Sequence, residues 1–448
     1  MAEICAFRGI RYNPSIVGDL NQVITPPYDV IGEPLQAALY ERSSHNMVRL
    51  DLGKMLPGDD ASDNRYTRSS ALFGQWLRDG VLRADSAPAL YWLEEDYALE
   101  DGSPCTRKGF VASVRIEDVG SGLYRPHEKT HAKPREDRIR LTRACKANLS
   151  PIFSLYDDPD MLVSPGLEKA ARTAGAPDAR VTDDAGVESR MWCVTDPEVV
   201  AAVAAAMQGK SFFIADGHHR YETALAHRAW MRGQCPGARG EGAWNYVMMY
   251  LSNMRDPGLT VFPTHRAVFG LKGLDVGGLL ERAGEYFSVE AVAEDPALLD
   301  AVAACLPGRQ RFGLCVKGTS GGWTLTLRDG VDLSSVLGEG VSPVLRGLDV
   351  TVLHSLLIER LLGISEEAQG EQRNLRYIKG GRALLDAVAG EADLQLGFLL
   401  NPTRIDQVKS VAEAGERMPQ KSTFFYPKLV TGLVLHPLVE DVEELRSL

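Results

Sequence analysis

Two neighbouring histidines and an arginine follow an aspartate and a glycine at Asp216-Gly217-His218-His219-Arg220. The apolar run Phe212-Phe213-Ile214-Ala215 precedes them, and a helical pattern begins at Tyr221-Glu222-Thr223-Ala224. That order predicts a buried strand, a tight turn and a helix N-terminus. Free backbone N–H groups and the positive end of the helix dipole favour phosphate or carboxylate at such a junction. Gly217 lets the backbone turn sharply or approach a ligand closely. Arg220 offers a bidentate fork for phosphate, a histidine can donate to it or shuttle a proton, and Asp216 can hold Mg²⁺ or accept a proton. The bland alternative is a solvated polar loop, which rarely needs two histidines and an arginine on one turn.

A second group is Tyr124-Arg125-Pro126-His127-Glu128-Lys129-Thr130, followed by Lys133, Arg135, Arg138, Arg140, Arg143 and Lys146. A carboxylate beside phosphate-binding cations is a sensible general base for a hydroxyl nucleophile, which singles out Glu128 with His127. Arg135 and Arg138 lie one turn apart on one helix face. Arg138 is the best phosphate-binding candidate among the arginines, and its site is expected to be open to solvent. The competing reading is a solvated basic helix face.

Two further segments are weaker on residue types alone. Met418-Pro419-Gln420-Lys421-Ser422-Thr423-Phe424-Phe425-Tyr426-Pro427-Lys428 sets aromatic residues between lysines, which suits a substrate wall or a packed edge strand. Pro26-Pro27-Tyr28-Asp29 reads as a rigid turn. His218, Glu222 and His227 do not make the HExxH pattern, and no phosphate loop GxxxxGK[ST] occurs. The seven cysteines form no CxxC pair, so reduced thiols are expected rather than a zinc site.

The elements that must position these groups follow from pattern. The chain has 448 residues, enough for two or three domains, with 44% hydrophobic and 24% charged residues. A net charge of -11 and a pI of about 5.4 argue against broad binding to nucleic acid or anionic membranes. Neither a signal-peptide h-region nor a membrane-length apolar run is present, so a cytoplasmic location is expected. Helices are predicted at 70–82, 135–147 and 198–207, and strands at 89–99, 108–116, 152–156, 190–194 and 246–251. Residues from about 267 onward alternate helix and strand. The fold class is therefore α/β with α+β elements: an N-terminal lead-in (1–88), a central mixed α/β domain (89–266) and a C-terminal α/β region (267–448).

Three stretches together resemble a known family: His127-Glu128-Lys129-Thr130 with Asp137-Arg138, then Ala147-Asn148-Leu149-Ser150-Pro151-Ile152-Phe153, then Ile214 to Ala224. The 26–30 and 418–428 segments also fit. The chain is identified as a member of the bacterial and archaeal family catalogued as a domain of unknown function, ten-fifteen. Its central part is similar to the ParB/sulfiredoxin superfamily, whose free serine kinases carry a similar His-Glu element and Asp-Gly-His-His-Arg box. The resemblance implies a nucleotide-dependent kinase acting on a small hydroxylated metabolite, with free L-serine foremost. It implies Glu128 as the catalytic carboxylate and Asp216, His218, His219 and Arg220 as the nucleotide and phosphate box; together with the residue reading above, Glu128, His127 and Asp216 are the expected catalytic groups. Gly217, His218, His219, Arg220, Arg138 and Lys421 would bind ATP or ADP, and Asp216 would hold Mg²⁺. A CTP-binding ParB-like switch or partner-binding protein, and a phosphatase acting on phosphoserine-like substrates, are the alternatives. ParB's DNA-binding helix-turn-helix is not evident after the box, so no nucleic-acid partner is expected. The sulfiredoxin reading lacks a cysteine near the box.

Overall fold

The computed structural model describes residues 3–118, 124–125, 132–234, 242–305, 308–419 and 421–448. Contacts divide the chain into two compact units, one built on Met1–Pro126, Thr130–Thr260 and Pro427–Leu448, the other on Val261–Tyr426. Helices and strands are interspersed in both, and the fold class is α/β.

The first unit is organised by nine strands: β1 (Ile4–Cys5), β2 (Leu90–Ala98), β3 (Pro104–Arg115), β4 (Tyr124–Arg125), β5 (Ile152–Tyr156), β6 (Ala179–Thr182), β7 (Glu188–Val194), β8 (Phe212–Asp216) and β9 (Tyr246–Asn253). Their order is β4-β8-β5-β9-β3-β2-β7-β6, with β1 also paired to β3. The sheet is mixed: β9 runs parallel to β5 and β4 parallel to β8, whereas the other neighbours are antiparallel. Every residue of β5 is buried, as is all of β9 after Tyr246, which is why both read as continuous apolar runs rather than alternating ones.

A charged pair is built into this core. Glu95 on β2 lies opposite Arg107 on β3, and Arg107 Nε donates to Glu95 Oε2 at 2.8 Å. The Arg107 guanidinium sits 4.5 Å from the Phe153 ring centroid and 5.3 Å from that of Tyr250. Paired and set against aromatic rings, the two charges survive a position where a lone ion would be very costly.

Three helices of this unit concern the site: α1 (Arg65–Arg78), α2 (Ala132–Cys145) and α3 (His218–Gln234). Helix α1 begins before the predicted 70–82 because Asn64 caps it. The Asn64 side chain accepts from Thr67 N at 3.2 Å, and Thr67 Oγ1 accepts from Asn64 N at 2.9 Å. It stops at Arg78 ahead of Gly80, whose φ of 75° is outside helical geometry. Helix α2 packs against both α1 and α3.

The second unit carries a six-stranded sheet, ordered β11-β13-β12-β15-β10-β14, from β10 (Thr264–Phe269), β11 (Phe287–Val292), β12 (Arg311–Val316), β13 (Gly322–Leu327), β14 (Leu375–Lys379) and β15 (Leu394–Leu400). All its neighbours run antiparallel. Its core gathers Ala267, Leu298, Cys315, Leu384, Leu394 and Leu399. Among the described residues of the chain, no helix is long and apolar enough to cross a membrane.

Candidate functional site

Strand β8 ends at Asp216, and α3 starts at His218 with Gly217 as the whole turn. Gly217 adopts φ +95°, a region that disfavours any residue with a side chain. A Cβ there would also lie 2.8 Å from Arg220 Nε, so the turn and the arginine fit each other only with glycine. Just before the turn, the pairing of β8 with β5 shifts register between Ile214 and Asp216. Such an irregularity re-aims the side chain that follows it.

Asp216 faces cations on two sides. Lys428 Nζ lies 3.2 Å from its Oδ1, and Arg220 Nη2 donates to its Oδ2 at 3.3 Å. Burial pushes the Asp216 carboxyl up, but Lys428 and Arg220, helped by His218, outweigh it and hold the group well below the usual carboxylate range. Arg220 reaches further: its Nη1 donates to the Pro151 carbonyl and sits 3.4 Å from Ser150 Oγ. The arginine thus ties the start of α3 to the entry of β5. His218 is buried, and His219 is half-buried beside it.

Arg138 on α2 corrects the expectation of an open site. It is only 5% exposed. Its Nη1 donates to Asp51 Oδ1 at 2.9 Å, its Nε donates to Asp137 Oδ2 at 2.7 Å, and its guanidinium lies 4.0 Å from the Tyr28 ring centroid. Asp137 also accepts from Tyr66 Oη at 2.7 Å and from Arg65. Burial raises the Asp51 carboxyl in spite of Arg138 and Arg220, and pushes the Tyr28 hydroxyl up to about 12. The basic cluster therefore splits. Arg138 belongs to a buried network, Arg140 is exposed and paired with Glu136 at 2.9 Å, and Arg143 lies 5.0 Å from the Trp230 ring centroid.

A cavity of about 30 Å³ lies between Asp51, Arg138, Ser150, Arg220 and Thr223. Asp51 Oδ2, Arg220 Nε and Thr223 Oγ1 are buried without a hydrogen-bond partner among the described residues. That volume admits one or two waters rather than a nucleotide, and three polar atoms are enough to hold one.

Glu128 and His127 lie outside the described residues. Lys421 belongs to the second unit, where it is exposed and its carbonyl accepts from Arg266 Nη2 at 3.1 Å. Lys428, which sequence reasoning left as the far end of an aromatic block, is the lysine that reaches Asp216. The only signal for it was the fit of that block to the family pattern. Asp51 gave no signal at all. With a cation on each oxygen, Asp216 is a poor ligand for Mg²⁺ in this arrangement. Among the described residues, no group of three His, Cys, Asp or Glu side chains is placed to hold a metal.

Residues 4–351 match the family model described as Protein of unknown function (DUF1015), so the chain belongs to that family. No curated protein matches it. Among solved structures, a free serine kinase in complex with AMP matches at 14% identity and a TM-score of 0.35, over 72% of this chain and 90% of that one. The ADP complex of a variant of that kinase gives 15% identity and 0.34 over the same shares. A C-terminally truncated SbnI from Staphylococcus aureus gives 14% and 0.34, over 75% of this chain and 93% of that one.

Proposed function

We propose that this DUF1015 protein is a nucleotide-dependent phosphotransferase acting on a small hydroxylated metabolite, with free L-serine as the first acceptor to test. One observation carries the reading. Tyr28, Asp137 with Arg138, Ser150 with Pro151, the Asp216–Arg220 box and Lys428 come from five separate segments of the family pattern; contacts join the first two segments and, separately, the last three, and Arg138 and Arg220 line one small cavity behind the strand-to-helix turn. A fold that spends this many charged contacts on one turn is holding it in a fixed shape, as preorganised phosphate recognition requires.

In this reading the start of α3, with His218 and His219, receives the phosphates of ATP or ADP. Arg220 and Lys428 fix Asp216 and supply positive charge beside them. Glu128 accepts the proton of the acceptor hydroxyl as its oxygen attacks the terminal phosphorus. The bond from that phosphorus to its bridging oxygen breaks, and the shortened nucleotide leaves with the electron pair. No step is assigned to a metal ion on Asp216.

The test is thermal shift with ATP, ADP and CTP, followed by assays of phosphate transfer to amino-acid hydroxyls. Transfer that requires both a nucleotide and a hydroxyl acceptor supports the kinase. Phosphoserine hydrolysis without nucleotide makes the protein a phosphatase, and CTP binding without turnover makes it a switch. Glu128→Gln should lower turnover by on the order of 10²–10⁴ and leave nucleotide affinity nearly intact.

A further inference from the structure

The second unit holds a cavity of about 360 Å³, within the range of small-molecule sites. One wall is the segment Leu353–Leu361, which is a π-helix, and the wide turn continues in Leu362 N donating to Leu357 O at 3.2 Å. Helices of this kind are rare and gather at functional sites. In a turn closed five residues back, His354 and Glu359 stack on one side, and both line the cavity.

The floor is polar and buried. Thr351 is 5% exposed, lines the cavity, and its Oγ1 has no hydrogen-bond partner among the described residues. A buried hydroxyl left unpaired is costly unless something arrives to pair with it. His354, which also lines the cavity, accepts at Nε2 from Nε of the buried Arg266 at 3.0 Å. A nitrogen that accepts from arginine carries no proton, so the neutral ring keeps its proton on Nδ1. Burial, with Arg266 adding to it, holds His354 well below the usual histidine range. The charged lining groups are therefore Glu359, Glu366 and Arg417, all exposed. Among the described residues neither Glu359 nor Arg417 is engaged in an ion pair.

From this arrangement we infer that the cavity is a second ligand site, built for a small zwitterion with one ammonium and one carboxylate, of the size of a free amino acid. Glu359 meets the ammonium. Arg417 meets the carboxylate, and the Thr351 hydroxyl, with Ser355 beside it, completes the polar floor. A simple diamine would leave Arg417 facing a cation, and a dicarboxylate would leave Glu359 facing an anion, so like-charge repulsion disfavours both. The inference does not depend on the phosphotransferase reading, which concerns the other unit.

The experiment is titration calorimetry of the full chain against a panel of free L-amino acids. The strongest binder is then repeated as its N-acetyl and carboxamide forms. It is also titrated into Glu359→Gln, Arg417→Gln, Thr351→Val and Arg220→Gln. Each blocked form should bind about tenfold more weakly or worse, as should each of the first two variants, because each loses a charged contact. Thr351→Val should fold normally and bind more weakly, and Arg220→Gln should bind as wild type. No binding by any member of the panel overturns the inference. So does undiminished binding in both Glu359→Gln and Arg417→Gln, or binding lost in Arg220→Gln alone, which would place the amino acid at the first site.

Discussion

Lys428 Nζ stands 3.2 Å from Asp216 Oδ1, joining the C-terminal segment of the first unit to the end of β8. The contact leaves Asp216 ionised between two cations, so the turn at Gly217 carries fixed charges on both sides.

That pairing sets an acid limit on stability. The folded carboxyl of Asp216 lies below its unfolded value. Ionised Asp216 thus contributes stability that is complete above the unfolded value, about 4, and is lost as pH falls toward the folded one. In Lys428→Met the folded carboxyl moves back up and part of this contribution disappears. Urea midpoints from pH 7 to 3 should therefore show a smaller advantage of neutral over acid pH in the variant. Superimposable profiles would mean that the ion pair does not form in solution.

The turn itself is tested by Gly217→Ala. A positive φ and a Cβ at 2.8 Å from Arg220 Nε act together, so the variant should lose about 1–3 kcal/mol in denaturant unfolding. Arg220 must move to make room, which should weaken nucleotide binding as well. A variant as stable as wild type would show that the turn relaxes easily and is not a rigid cradle.

The turn was legible because its signals are local. An apolar run, a glycine and a helical pattern follow one another within Phe212–Ala224, and the structure has β8, Gly217 and α3 there. The strands at 152–156 and 246–251 were legible for the same reason, as short buried runs. The surroundings of Arg138 were not. A helix carrying Arg135, Arg138, Arg140 and Arg143 reads as a solvated face, and only the distant Asp51, Asp137's second contact to Tyr66, and the Tyr28 ring make burial of one of them tolerable. Lys421 and Lys428 flank the same aromatic block, and nothing local says which one reaches the carboxylate. The π-helix around His354 is invisible to any 3.6-residue period, since its apolar residues fit an ordinary helix equally well.

Burial of Arg138 changes what its replacement should do. An exposed arginine would cost affinity and little stability. Here, Arg138→Met leaves the buried Asp51 carboxyl with one cation fewer, and removing one partner of a buried pair costs about 3–5 kcal/mol. The sign of the pH dependence follows from Asp51. Burial already raises its folded carboxyl above the unfolded value, so its contribution favours folding below the unfolded value and is lost as pH rises through the folded one. Taking away Arg138 raises it further. The variant can then shed its penalty by taking up a proton, so the stability gap between wild type and Arg138→Met should be narrower at pH 5 than at pH 8. Arg138→Lys should fall between the two proteins, because lysine keeps the charge and cannot fork between Asp51 and Asp137 while lying on the Tyr28 ring. Urea unfolding of the three proteins at both pH values is the measurement. A gap that does not change with pH would remove Asp51 as the source of the cost, and a gap near zero would return Arg138 to the solvent-facing role that its sequence context suggested.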